Sequence, residues 1–294
     1  MTLTSASVLK FGDVTQVRAP ISNLPSAIIL GVITGVMGAA FVEVNSRLGM
    51  LRKKLIDVRW KKILETCLFA FATASTFYLV AVNSPHCVPS VPENDSDREV
   101  YQGGCPDGSY SPIASLLFNT EGGAIRAIMN NELKTTFQEI SGFTAIWYFF
   151  MVVTYGVWVP AGLFLPGIIV GCALGQLYFQ IFDAAFPDSD PTADQSYKVM
   201  AASAMLGGYT RLTYSLCVIM LETTQSINYF IPILISVLTS VTVADYFNRS
   251  LYERALRAKQ MPLLRNYCPK SQAEVTAFQI CSHNPETVEG IISV

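Results

Sequence analysis

The chain is short of charge. Asp, Glu, Lys and Arg make up 14% of its 294 residues, against 51% hydrophobic residues. Soluble domains are about one quarter charged, so the composition excludes an ordinary soluble domain. Mean hydropathy is +0.39, as expected of a chain that lives in lipid. Histidine is scarce too. His86 and His283 both lie in polar segments with no second ligand at metal spacing. No nucleophile elbow, P-loop or dinucleotide fingerprint occurs. No apolar run carries a mid-run carboxylate of the kind that relays protons. An enzyme is therefore not expected, nor a metal or cofactor. A basic tract interleaved with aromatics is also missing, so nucleic acid is not an expected partner. Residues 1–20 lack a basic region followed by an apolar core, which argues against a cleavable signal peptide. None of the seven cysteines forms a C-x-x-C pair. Cys67, Cys172 and Cys217 sit in apolar runs as small hydrophobes. Cys268 and Cys281 belong to a polar tail and are expected as thiols.

What is present is a series of apolar runs with unevenly placed charge. Residues 1–23 read as a connecting loop. Residues 24–48 are long enough to span a bilayer. Gly31 and Gly35, four apart and followed by Gly38 and Ala39, give this run a small-residue face for close helix packing. Residues 47–62 carry Arg47, Arg52, Lys53, Lys54, Arg59, Lys61 and Lys62 against Asp57 alone, which reads as a cytosolic loop. Residues 63–82 cross back. Residues 83–137 are polar and acidic, and hold Cys87, Cys105 and the sequon at Asn94. That fits a lumenal or extracellular loop, where Cys87 and Cys105 could pair. The sequon alone is weak, because Asn248-Arg-Ser also matches on the expected cytosolic side. Residues 113–118 are expected to form a short interfacial helix.

The middle of the chain is broken. Gly156-Val-Trp-Val-Pro160-Ala-Gly162-Leu-Phe-Leu-Pro166-Gly167 separates two apolar runs, 143–158 and 168–182. Pro166 suits a first helical turn, where its missing N–H costs nothing. The amides of Leu163, Phe164 and Leu165 then lack a carbonyl within the helix. In lipid, such backbone is tolerated only inside protein or beside a wet cavity, and a helix start carries partial positive charge. One reading is an anion site made of backbone. The other is a plain turn at the membrane surface. The acidic residues Asp183, Asp188, Asp190 and Asp194 put the exit of this pair on the lumenal side again. Residues 197–206 and 212–221 then read as half-length helices split at Gly207-Gly208-Tyr-Thr-Arg211. Arg211 needs a partner or water. Glu222 is one candidate partner, and otherwise a lumenal cap or a solvated helix end. Residues 231–246 form the last apolar run. Beyond it, Phe247, Leu251, Tyr252, Ala255 and Leu256 recur at helical spacing. The Tyr252 hydroxyl is either a binding group or part of an interfacial anchor.

Several of these motifs carry a resemblance. Gly162-Leu-Phe-Leu-Pro166 resembles the second-half G-x-F-x-P motif of the CLC family of chloride channels and anion/proton exchangers. Leu206-Gly-Gly-Tyr-Thr-Arg211-Leu-Thr-Tyr-Ser-Leu-Cys-Val-Ile-Met-Leu-Glu222 resembles the family's L-G-G-x-x-R-M-T-x-S-L-x-V-I-x-x-E segment. Phe247-Asn-Arg-Ser-Leu-Tyr252, followed by Met261-Pro-Leu-Leu, looks like the last membrane helix and its exit. Ala114-Ser-Leu-Leu-Phe-Asn-Thr120 looks like the short helix after the lumenal loop. The wording around Val159-Pro-Ala-Gly and Ser215-Leu-Cys-Val-Ile-Met is most similar to the plant vacuolar and animal endosomal–lysosomal branch.

The resemblance implies an all-α integral membrane protein, the C-terminal inverted-repeat half of a CLC fold with broken and half-length helices. Its membrane domain would cover 24–258, with 259–294 a cytosolic linker and the start of a CBS domain. It implies chloride, or nitrate, as the moved ion, held by Gly162, Leu163, Phe164 and Pro166 through backbone amides of Leu163 and Phe164, and by the Tyr252 hydroxyl. It implies a voltage-gated-type channel or chloride/proton antiporter in a vacuolar, endosomal or lysosomal membrane, homodimeric as in the family. The first-half segments that complete the anion site and carry the gating and proton glutamates do not occur here. The expected partner is therefore the missing N-terminal half. The alternative is a non-transporting subunit or truncated isoform that modulates full-length CLC subunits.

Overall fold

The computed structural model describes residues 24–56, 58–84, 86–89, 100–186, 193–224 and 227–261. The expectations for 1–23, for Asn94, for Cys268 and Cys281, and for a CBS start within 262–294 lie outside those residues. By its contacts the chain divides into Met1–Ala255, which holds nearly all described elements, and Leu256–Val294, of which residues 256–261 are described.

The elements are α1 (Leu24–Leu55), α2 (Arg59–Asn83), α3 (Pro112–Phe118), α4 (Glu121–Met129), α5 (Phe137–Thr154), α6 (Phe164–Ala185), α7 (Ala193–Thr210), α8 (Tyr214–Thr224), α9 (Phe230–Phe247) and α10 (Leu251–Ala258). A two-residue antiparallel pair, β1 (Val88–Pro89) with β2 (Ser109–Tyr110), is the only sheet among the described residues. The fold is thus all-α. Four described stretches are long and apolar enough to cross a membrane: Leu24–Leu55, Arg59–Asn83, Phe164–Ala185 and Ile227–Ala258. At 1.5 Å per residue, the 32 residues of α1 reach well past a hydrocarbon core of about 30 Å. Its last turns therefore carry part of the basic stretch that the sequence suggested as a loop.

α7 lies at the centre, packed on α1, α6 and α9. It contributes Tyr197, Met200, Ala201, Met205, Leu206 and Tyr209 to the core, each almost fully buried. The helix runs unbroken through Gly207 and Gly208, which corrects the break expected there. The reason is close approach. A Cβ on Gly38 of α1 would fall 2.6 Å from the carbonyl carbon of Gly208. These glycines let two backbones touch; they do not interrupt one. The interruption comes three residues later, at Arg211, whose φ of 62° is left-handed.

Polar groups complete the packing. Ser240 donates to the Ala204 carbonyl at 2.6 Å, tying α9 to α7. Cys87 and Cys105 are joined, with Cα atoms 5.8 Å apart, and staple the polar segment beside the β pair. That segment also holds α3 and α4, of which α4 was not anticipated. Thr120 caps α4 by accepting from the Gly123 amide at 3.1 Å.

Candidate anion site

The broken stretch begins where α5 ends. Helix C-termini leave carbonyls without partners, and here two side chains of α1 take them up. Asn45 donates to the Val152 and Tyr155 carbonyls at 3.0 and 2.6 Å. Arg52 donates to the Tyr155 carbonyl at 3.1 Å and also to the Val153 carbonyl. Arg52 is buried, and its charge is met by Glu65 of α2 at 2.8 Å. Beyond Tyr155 the chain turns at Gly156, with φ of 92°, which a side chain would resist. Trp158 lies under the Lys62 ammonium, 3.5 Å from the ring centroid.

α6 begins at Phe164, so Pro166 is its third residue. Its missing N–H falls among positions that have no intrahelical acceptor in any case. The first backbone bond of the helix runs from the Gly167 amide to the Leu163 carbonyl, 3.3 Å. The amides of Leu163, Phe164 and Leu165 have no protein acceptor among the described residues. Leu163 to Pro166 are half-buried, while Gly162 is exposed. The start of α6 is fixed from the side by Tyr209 of α7. Its hydroxyl donates to the Leu163 carbonyl at 2.9 Å. Gly167 makes room for it, because a Cβ there would lie 2.0 Å from the Tyr209 oxygen.

Tyr252 sits in the first turn of α10, half-exposed. Its hydroxyl has no hydrogen-bond partner among the described residues. Phe41 of α1 packs beside Tyr209 and Tyr155, with ring centroids at 5.2 and 6.1 Å. The structure thus brings Tyr209 to Leu163 at the start of α6. Three amides without protein acceptors at a helix start are weak donors, able to take an anion that must also leave.

Arg211 is not paired with Glu222. Its Nε lies 3.0 Å from Asp245 of α9, and it donates to the carbonyl and side-chain oxygen of Asn248, both at 3.1 Å. Glu222, in the last turn of α8, is exposed. Asn248 in turn donates to the Ala39 carbonyl at 2.7 Å. Arg254 of α10 reaches Glu43 of α1 at 2.7 Å. These bonds set the entry of α10 and hence the place of Tyr252. Asn248 was legible as a sequon and as part of the last-helix motif but not as a partner of Arg211, because that role depends on the meeting of α1 with the α7–α8 break.

The family model described as voltage gated chloride channel matches residues 2–245. The chain belongs to this family, the CLC proteins. Chloride channel protein C of Dictyostelium discoideum is 32% identical over 272 residues, covering 90% of this chain and 36% of that protein. H(+)/Cl(-) exchange transporter 7 of Homo sapiens is 31% identical over 286 residues, covering 95% of this chain and 35% of its own length. Chloride channel protein CLC-d of Arabidopsis thaliana is 32% identical over 281 residues, covering 88% and 34%. The chain therefore spans about a third of the curated relatives it matches. A solved eukaryotic CLC transporter is similar over 85% of this chain and 38% of its own, with a TM-score of 0.57 and 27% identity. A slow cyanobacterial Cl-/H+ antiporter shares the fold, with a TM-score of 0.59 and 16% identity. Tyr252 lies just past the stretch that the family model matches.

Proposed function

We propose that this chain supplies one half of a chloride pathway, working as a channel or a chloride/proton antiporter once the complementary CLC half is present. The observation that carries the reading is the start of α6. Leu163 and Phe164 present free amides there, and the Tyr252 hydroxyl is the further donor that the reading adds. A halide replaces lost water with such donors. Nitrate satisfies the same donors and is the second candidate ion. The names of the relatives, a proton/chloride exchange transporter and chloride channel proteins, favour chloride. A vacuolar, endosomal or lysosomal membrane is the proposed location, since the disulfide and the acidic polar segment suit an oxidising lumen.

A second reading rests on a different surface. Tyr214, Val218, Ile231 and Leu238, on α8 and α9, are exposed large hydrophobics. They suit association with another CLC subunit, which this chain would modulate without conducting. Chloride efflux from liposomes separates the two. The half-pathway reading expects no flux from this chain alone and flux when a complementary CLC first half is co-reconstituted. Absence of flux with the added half, together with altered flux of a full-length CLC protein, would favour the subunit reading.

A further inference from the structure

A hollow of about 460 Å³ lies between the start of α2 and the stretch ahead of α6. Arg59, Lys62, Ile63, Thr66 and Cys67 form one wall, and Trp158 and Val159 the other. The five residues of α2 are spaced i, i+3, i+4, i+7 and i+8, so they share one face of the helix. Within α2 only Ala81 is buried, yet the helix is long and apolar enough to cross a membrane. The same face continues past the hollow with Ala70, Phe71 and Ala74, all exposed.

The hollow joins uncompensated positive charge to apolar surface. Arg59 and Lys62 have no carboxylate partner among the described residues. Glu65, one turn along, is taken by Arg52 at 2.8 Å. The Lys62 ammonium rests 3.5 Å from the Trp158 ring centroid, a contact that places the cation and leaves its N–H groups free to donate. Thr66 donates its hydroxyl proton to the Lys62 carbonyl at 3.0 Å, so the two bases are the donors on this wall. Ile63, Cys67, Val159 and the Trp158 ring supply the rest of the lining, and it is apolar.

We propose that this hollow binds an anionic phospholipid, with its phosphate on Arg59 and Lys62 and an acyl chain along Ile63, Cys67 and Phe71. The two kinds of lining together select the occupant. A small soluble anion gains nothing from the apolar wall, and a zwitterionic lipid brings its own cation toward the two bases. Basic pockets beside membrane helices favour anionic headgroups, and long basic chains and tryptophan suit the depth of the membrane interface. The surrounding basic stretch is the one expected on the cytosolic side, where the leaflet carries anionic lipid. The site needs neither a halide nor the other CLC half, so it stands apart from the proposed chloride pathway.

The test is quenching of Trp158 fluorescence by brominated lipids in vesicles, with Trp60 and Trp147 replaced by Phe. Brominated phosphatidylglycerol is compared with brominated phosphatidylcholine at equal mole fraction and physiological salt, which screens distant charges. The site predicts roughly tenfold stronger association of phosphatidylglycerol. Arg59→Gln/Lys62→Gln should abolish that preference. Lys54→Gln/Lys61→Gln, which removes the same charge outside the hollow, should keep it. Equal quenching by the two lipids would overturn the proposal. Loss of preference in both double variants would mean diffuse surface charge only, and survival in both would put the lipid elsewhere; either result overturns it too. Native mass spectrometry of the unmodified chain from mixed micelles gives a check free of variants: retention of phosphatidylglycerol over phosphatidylcholine supports the site, and equal retention counts against it. A preference that vanishes once a complementary CLC first half is added would assign this face to that half and sink the idea.

Discussion

Tyr209 holds the loop before α6 from the side. Its hydroxyl bonds the Leu163 carbonyl, and Gly167 leaves the gap through which it reaches. Gly167→Ala forces a methyl group against that oxygen, an overpacking that costs about 1–3 kcal/mol. Tyr209→Phe removes one neutral hydrogen bond, about 1 kcal/mol. The penalty of Gly167→Ala should shrink when Tyr209 is already Phe, as thermal midpoints of the two single variants and the double variant would reveal. Equal penalties in both backgrounds would contradict the contact. Tyr252→Phe is expected to weaken chloride binding by about 1 kcal/mol in the assembly completed by the other half, read by calorimetric titration. The unpartnered amides of Leu163 and Phe164 were legible in sequence because proline and glycine are local signals. Tyr209 gave none. It lies within a segment that reads as a glycine break, and only the approach of α7 to α6 gives it a task.

At the level of elements, the end of α5 depends on α1 and α2. Arg52 bonds two of its terminal carbonyls and the Glu65 carboxylate, all out of water. Breaking a buried ion pair on one side strands the other charge. Arg52→Met should therefore cost about 3–5 kcal/mol, and Arg52→Met with Glu65→Leu should regain much of that. Thermal unfolding in detergent measures both, and a double variant no better than the single one would count against the pairing. The sequence showed Arg52 only as one of seven basic residues in a supposed loop, since charge counting cannot tell a buried cation from a solvated one. Helix existence was far more readable. The apolar runs at 24–48, 63–82 and 231–246 all became helices, with ends displaced by a few residues. α4 escaped notice because Gly122 and Gly123 weaken its helical pattern, while the Thr120 cap compensates.

For the molecule as a whole, a single staple closes the polar segment. The Cys87–Cys105 bond spans 18 residues, and a loop of that size corresponds to about 3 kcal/mol in the chain-entropy account. Reduction should lower the thermal midpoint of the wild-type chain and leave that of Cys87→Ser/Cys105→Ser unchanged. Cys172 and Cys217 are buried, and Cys67 is exposed, so the contrast between those two proteins isolates the bond. The all-α membrane architecture was legible from composition and run length, and the family from motif order. The central place of α7 was not, because its mixed polarity hides a helix buried on nearly every side.

The stretch between α5 and α6 is strung like a bow between two posts. Asn45 and Arg52 fasten one end at Tyr155, and Tyr209 fastens the other at Leu163. Pro160, Ala161 and Gly162 hang outward between them. Slack added at the outer curve bows away from the protein and spares the two amides. Shortening the string by even one residue pulls against both posts, and the weaker of them, a lone phenol, gives way first.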